Sequence, residues 1–432
     1  MGTEYSFFFI FSYTYIFSYS YIVRFKLSKG GIVLSEFRKF KLFIAVLGIL
    51  FLVACGKSDD AGSGGTGGSG DDEGDTIKIG LNFELSGSVS SYGTSGKEGA
   101  ELAVEQINAE GGINGKKLEL VPVDNKSDNS ESTNVALKLI TQDNVVAIIG
   151  PATTGAVMAE IEVATQYKVP VITPSGTNAR ITVNEDGSLN EYIFRTCFID
   201  PFQGEIAATF AIEELGLKNA AIYYDNSSDY AKGLGAAFKE TFTKKGGTIV
   251  AEEAYAAGDT DFNSTLTSIK SANPDVVFVP GYYEEVGLII KQARELGIEA
   301  AFIGGDGWDS PDLVKLAGEE ALNNAYMIAH YSSDDPDPRI KNFVGAFKEK
   351  YGKEPNGFHA LGYDSVLFLA DALKRAGSTD GEKIKDALQQ TKNLELVSGT
   401  FSVDPKTNNP IKAATILEFE NGTAKFKSKV TP

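Results

Sequence analysis

The chain has 432 residues, enough for two or three domains of ordinary size, and 42% of them are apolar, so large cores can be buried. Acids outnumber bases 58 to 40, for a net charge of -18, a balance that argues against nucleic acid, whose phosphates need a basic face. Two cysteines, Cys55 and Cys197, cannot make a disulfide framework, and two histidines, His330 and His359, stand far apart with no H-x-x-x-H or C-x-x-C spacing, which argues against zinc.

Residues 38 to 54, RKFKLFIAVLGILFLVA, set a basic cluster (Arg38, Lys39, Lys41) before an apolar run that ends in small residues. That is the layout of a secretory signal, and the run is short for a membrane span, which needs ~20 residues. Its end, Leu52-Val53-Ala54-Cys55, resembles a bacterial lipobox, in which the cysteine carries lipid and the chain is cut before it. An ordinary signal with a chance cysteine is the alternative; the tripeptide, Gly56 and the stretch behind it favour the lipobox. The residues ahead of the signal, rich in Phe, Tyr and Ser, fit either a first apolar segment or, the preferred reading, a written start that is too early. Lys29-Gly30-Gly31 fits a ribosome-binding site read in frame, with translation starting at Val33 or Leu34. Residues 56 to 75 are mostly Gly, Ser and Asp, without periodicity, and read as a flexible tether. About 20 such residues reach roughly 25 Å. Their glycines make no phosphate loop, since no strand precedes them and no Lys-Ser/Thr follows.

After Asp75 strand-length apolar runs recur at 77–83, 118–123, 145–149 and 169–172, with helical stretches at 96–109, 130–142 and 155–167 between them. In 96–109, Ala100, Ala103, Val104 and Ile107 share one face, and Glu110-Gly111-Gly112 ends the helix. IFRTCFID, around Cys197, reads as a further strand, with the cysteine a buried small hydrophobe. A second series follows, with strands at 220–224, 248–252, 276–280 and 301–303 and helices at 203–215, 230–244, 262–271 and 284–296. Strands alternating with helices predict an α/β fold of two lobes, each a mainly parallel sheet with helices on both faces. The tail holds a strand in AYMIAHY, helices at 340–351 and 357–376, a short one at 382–390, and β-like runs at 401–403 and 414–419. It completes both lobes without forming a third domain.

Ligands of open α/β sheets bind beyond the carboxyl ends of strands. Those tips are LSGSVSSYG (85–93), GPATTG (150–155), TPSGTN (173–178), DNSSDY (225–230), PGYY (280–283) and GGDGW (304–308). Thr153, Thr154, Ser175 and Thr177 offer hydroxyls near helix starts, which suit an anion; as plain N-caps each has a simpler explanation. Asp306 is a turn residue or the counter-ion of an ammonium, and Tyr92, Tyr230, Tyr282 and Trp308 could supply aromatic walls. An anion cradle in one lobe and an acid in the other describe a receptor for a zwitterion such as an α-amino acid. No Walker spacing, G-x-S-x-G elbow or persuasive metal spacing supports catalysis.

The segment TIKIGLNFELSGSVSSYGTSGKEGAELAVEQINAEGGINGKKLELVPVDN resembles the opening of the branched-chain amino acid (leucine/isoleucine/valine)-binding proteins, solute receptors of ABC importers with the type I periplasmic-binding fold. IIGPATTG, VPVITPSGTN, FRTCFIDPFQG, GYYEEVGLIIKQARELG and FIGGDGW fit that family in order, over roughly residues 76 to 425. The resemblance implies a three-crossover hinge near 198–201, 326–330 and 399–404, and lobes of 76–200 plus 328–402 and 201–327 plus 403–432, behind a signal (1–54) and a lipidated Cys55 with its linker (55–75). It carries the ligand carboxylate to Thr154, Ser175 and Thr177, with backbone from Ala152 beside Thr153, and the ammonium to Asp306. It matches Tyr92, Tyr230, Tyr282 and Phe358 to cleft aromatics. Ala152-Thr153-Thr154 stands where the leucine receptor has a cysteine-containing tip. The implied partners are a Leu/Ile/Val-like amino acid, ABC permease subunits and the bacterial membrane, reached through lipid on Cys55; no cofactor or catalytic residue is expected. The alternatives are a sensor of the same fold, or a receptor for an amide, urea or aromatic acid.

Overall fold

The computed structural model describes residues 76–431, with short β-segments at Phe8–Phe11, Tyr21–Arg24, Leu27–Ser28 and Gly31–Ile32 that pair as two antiparallel ribbons. The signal core, Cys55 and the tether lie outside the described residues.

The first sheet has five parallel strands in the order β2-β1-β3-β4-β5: Thr76–Phe83 (β1), Lys117–Asp124 (β2), Ala147–Ile149 (β3), Val171–Thr173 (β4) and Ile193–Arg195 (β5). Strands β3 and β4 are buried throughout, as central parallel strands covered on both faces must be, and the edge strand β5 is buried as well. Helices Ser90–Ala109 (α1), Asn129–Thr141 (α2) and Thr154–Tyr167 (α3) connect them. Helix α1 ends as expected, with Gly111 and Gly112 at positive φ and the Gly112 N–H on the Ile107 carbonyl. It starts six residues before the predicted position, which draws Tyr92 into its first turn. The early turns lack an apolar stripe because Gly93 and Gly96 lie against the Glu84 backbone and the Phe83 ring, where a Cβ would come within 2.3 and 2.9 Å.

The strand read in IFRTCFID stops at Arg195; Thr196, Cys197 and Phe198 continue as buried irregular chain into Asp200–Thr209 (α4). The second sheet has seven strands in the order β7-β6-β8-β9-β10-β14-β15. Asn219–Asp225 (β6), Thr248–Tyr255 (β7), Val276–Phe278 (β8), Ala301–Gly304 (β9) and Ala325–Ala329 (β10) are parallel. Between them run Asp229–Lys244 (α5), Asn263–Ser271 (α6), Tyr283–Glu295 (α7) and Pro311–Ala317 (α8), the last a helix that the sequence reading passed over. Its signals are the Ser310 cap, which accepts from the Asp312 N–H, and Pro311 at the first position.

After β10 the chain returns to the first lobe. Pro338–Tyr351 (α9), Gly357–Ala376 (α10) and Gly381–Gln389 (α11) follow, and α10 starts on a capping box between Asn356 and His359. Helix α10 crosses α1 at backbone contact: a Cβ on Gly99 would fall 1.9 Å from the His359 carbonyl oxygen, and one on Gly362 2.1 Å from that of Gly96. A small antiparallel sheet, Leu394–Leu396 (β11), Gly399–Asp404 (β12) and Asn409–Ile411 (β13), leads back to the antiparallel strands Ala414–Glu420 (β14) and Thr423–Val430 (β15) of the second sheet. Strand β15 escaped the sequence reading because TAKFKSKV carries a lysine at every second position from Lys425 and almost no buried face, as suits a sheet edge. Between β13 and β14, buried Lys412 donates to the Thr196 carbonyl (2.9 Å) and the Ser398 hydroxyl (2.8 Å), tying together the segments that run between lobes.

Candidate functional site

Two tips of the first lobe meet below the cleft. Chain leaving β3 passes through Ala152 and Thr153 into α3, and chain leaving β4 passes through Ser175 to Asn178. The Ser175 hydroxyl donates to the Ala152 carbonyl (2.8 Å), and Thr173 Oγ1 donates to the Pro151 carbonyl (2.6 Å) while accepting the Gly176 N–H (2.9 Å). Glu84, just past β1, is fully buried and fixes the other side. It accepts the Ala152 N–H (3.0 Å), the Thr153 N–H (3.0 Å) and the Thr153 hydroxyl (2.8 Å). Burial raises its carboxyl above the usual range, against those hydrogen bonds, which favour the ionised form. The Ala152 amide, expected to face a ligand, is therefore engaged within the protein.

Asp306 projects from the second lobe just past β9 and is 3% exposed. Its Oδ1 accepts from Gln203 Nε2 (2.9 Å) and the Tyr230 hydroxyl (3.0 Å), and its Oδ2 lies 3.0 Å from His330 Nε2. Burial lowers the His330 imidazole to about 4, although Asp306 pulls the other way. The ring is thus neutral at pH 7 and donates through Nε2. Asp306 thus has no cation among its hydrogen-bond partners, an arrangement that favours a cationic ligand. The Phe198 ring stacks on His330 at 3.7 Å, so the acid is braced by the segments leaving β5 and β10.

Aromatic rings close the space between lobes. Tyr92 stacks on Phe358 at 4.3 Å, Tyr230 on Tyr282 at 5.3 Å, and Tyr92 meets Tyr282 edge-on at 5.6 Å. Tyr92 donates to the Gly307 carbonyl and accepts the Tyr283 N–H (3.2 Å), so a first-lobe helix holds the second lobe directly. Ser91 with Ser310 (2.8 Å) and Asn178 Nδ2 with the Asp229 carbonyl (2.8 Å) add further bridges. Burial pushes the phenols of Tyr92, Tyr230 and Tyr282 up, leaving neutral hydroxyls.

The space left between these side chains is small, about 10 Å³, and is lined by Tyr92, Ala152, Thr154, Ser175, Tyr230, Tyr282, Asp306, Gly307 and Phe358. Eight of the ten residues expected from sequence converge there; Thr153 is turned to Glu84, and buried Thr177 lies beside Asp200. The reading missed Glu84, Gln203, His330 and Gly307. Glu84 and Gly307 sit inside quoted tips or beside them, but Gln203 and His330 carry no local signal, because their role comes from an acid about 103 and 24 residues away. Trp308, offered as a wall, is fully buried and instead donates its indole N–H to the Val279 carbonyl (3.0 Å).

A family model described as periplasmic binding protein matches residues 76–424. The leucine-, isoleucine-, valine-, threonine- and alanine-binding protein of Pseudomonas aeruginosa is 31% identical over 82% of this chain and 93% of its own length. The solved structure of the branched-chain amino acid transporter substrate-binding protein LivJ of Streptococcus pneumoniae with isoleucine aligns at TM-score 0.78 and 43% identity, covering 83% of this chain and all of that one (100%). A receptor of Rhodopseudomonas palustris bound to 3,4-dihydroxybenzoic acid aligns at 0.73 and 30% identity, over 83% of this chain and 98% of that one. The two-lobed α/β architecture, the ordered tips and these matches agree: the chain belongs to the periplasmic binding protein family, the extracytoplasmic solute receptors that include the branched-chain amino acid-binding proteins of ABC importers.

Proposed function

We propose that this receptor binds a branched-chain or related α-amino acid between its lobes and delivers it to an ABC permease, held at the membrane by lipid on Cys55. The observation that carries the reading is the opposition of Asp306 to the hydroxyls of Thr154 and Ser175 around one enclosed space. An ammonium would meet the acid, a carboxylate the Thr154 hydroxyl and, once its hydrogen turns from the Ala152 carbonyl, that of Ser175, and an apolar side chain the Tyr92, Tyr282 and Phe358 rings. Contacts made to both lobes at once favour the closed form, which is how binding would drive closure. The names of relatives in Pseudomonas aeruginosa and Streptococcus pneumoniae support the same ligand class. The dihydroxybenzoate-bound relative keeps an aromatic acid as the second reading, which leaves the Asp306 charge without a partner.

A thermal-shift screen of the purified protein against the common amino acids, their amides and simple aromatic carboxylates tests this. A true ligand at 100 times its dissociation constant adds about 2.7 kcal/mol of stability. Stabilisation by an aliphatic amino acid supports the proposal; stabilisation by benzoates alone replaces it with the second reading.

A further inference from the structure

The first-lobe half of the cleft lacks positive charge. No lysine or arginine lines the enclosed space, and the Ala152 and Thr153 amides are engaged by Glu84. Behind the second tip, at the end of β5, lies Arg195, whose relative exposure is 0%. Its Nη1 donates to the Gly176 carbonyl (2.8 Å), and its Nη2 donates to the Asn178 carbonyl (2.9 Å) and Thr182 Oγ1 (3.2 Å). Its Nε has no partner. All three acceptors are neutral, and among the described residues no carboxylate makes an ion pair with it. A guanidinium stays protonated in proteins, so the fold keeps a buried charge without a direct counter-ion, which is costly. Asp200, beside the Thr177 hydroxyl, acts on it only through space, and burial holds its carboxyl well above the usual range.

We propose that Arg195 is the buried counter-charge for the ligand carboxylate, acting as a positioning residue through the peptide units of the Ser175–Asn178 tip. The guanidinium holds the Gly176 carbonyl oxygen. In a planar trans peptide the N–H of the next residue, Thr177, points the opposite way. The positive end of that polarised unit therefore faces away from Arg195. The Asn178 carbonyl fixes the Asn178–Ala179 unit in the same manner. Arg195 complements Asp306: one is a buried cation behind a first-lobe tip, the other a buried acid at a second-lobe tip, and each has only neutral hydrogen-bond partners. A zwitterion brings each lobe the charge it lacks.

The inference rests on the amino-acid reading, so its test separates the two. Calorimetry measures leucine and leucinamide, which lacks the carboxylate charge, against the parent, Arg195→Gln and Arg195→Lys, each checked for folding by thermal melt. The parent should prefer leucine. Arg195→Gln should weaken leucine by about tenfold or more while leucinamide changes little, and Arg195→Lys should keep most of the preference. An unchanged leucine-to-leucinamide ratio in Arg195→Gln, or equal losses for both ligands, overturns the inference and leaves the amino-acid reading standing. Should Arg195→Gln fail to fold, Arg195→Lys decides: a folded protein that keeps the charge yet treats the two ligands alike overturns it too. A parent that does not distinguish leucine from leucinamide removes the carboxylate arm of the proposed function, and this inference with it.

Discussion

Replacing Asp306 by asparagine preserves the shape of the side chain and removes its charge. The remaining oxygen can still accept from Gln203 and Tyr230, which lie 2.9 and 3.0 Å from Oδ1. The new amide takes the place of Oδ2 and presents a donor to His330. The neutral ring can accept it by moving its proton to Nδ1, which has no partner in the protein. Leaving that N–H unsatisfied costs about 1–3 kcal/mol of stability, so the protein should fold with a lowered melting temperature. The effect on binding is larger. An ammonium removed from water into a site that has lost its counter-charge forfeits about 3–5 kcal/mol, and at about 1.4 kcal/mol per decade that is about two to three and a half decades in Kd. Isothermal titration with leucine and with isocaproate, which keeps the carboxylate and lacks the ammonium, separates charge from packing. Asp306→Asn should weaken leucine by the stated factor and leave isocaproate unchanged or tighter. Leucine bound within about threefold of the parent would refute the ammonium role of Asp306, and equal losses for the two ligands would assign the effect to a distorted cleft.

Two further outcomes follow from the packing around the site. Burial lowers His330 from 6.5 to about 4, so the unfolded chain holds that proton more readily than the folded one. The stability this contributes is complete above about pH 6.5 and is lost as pH falls toward 4, by about 3 kcal/mol in all. His330→Gln, which retains a donor for Asp306 and does not titrate, should flatten that acid limb in denaturant melts at neutral and acid pH; parallel limbs would exclude His330 as its source. Gly99→Ala would set a methyl 1.9 Å from the His359 carbonyl oxygen. It should cost about 1–3 kcal/mol or more, because backbone must move, and an unchanged melting temperature would show that α1 and α10 separate freely.

The body's alternation of strand and helix was legible because buried parallel strands such as Ile148 and Val171 sit in short apolar runs and the helices between them keep an apolar stripe. The site was legible where its residues cluster at strand ends, as Thr154, Ser175 and Asp306 do. Other features depend on tertiary contact. The early turns of α1 are shaped by glycines that pack on Phe83 and Glu84, so periodicity began too late there. Gln203 and His330 matter only because β9 delivers Asp306 between them. Glu84 looks like one more polar residue after a strand until β3 brings the Ala152 and Thr153 amides against it. Strand β15 has the alternation of an edge but too little apolar content to announce itself.

The glycine contact between α1 and α10 has a mechanical side. Tyr92 stands in the first turn of one helix and Phe358 in the first turn of the other, and each helix is 20 residues long. With the backbones touching at Gly96, Gly99 and Gly362, no layer of side chains is left between them to absorb slippage. The two helices form a stiff double beam whose ends begin at the cleft and finish roughly 30 Å away, at 1.5 Å of rise per residue. A slight tilt imposed on the stacked rings would therefore move the two helices together rather than slide one past the other.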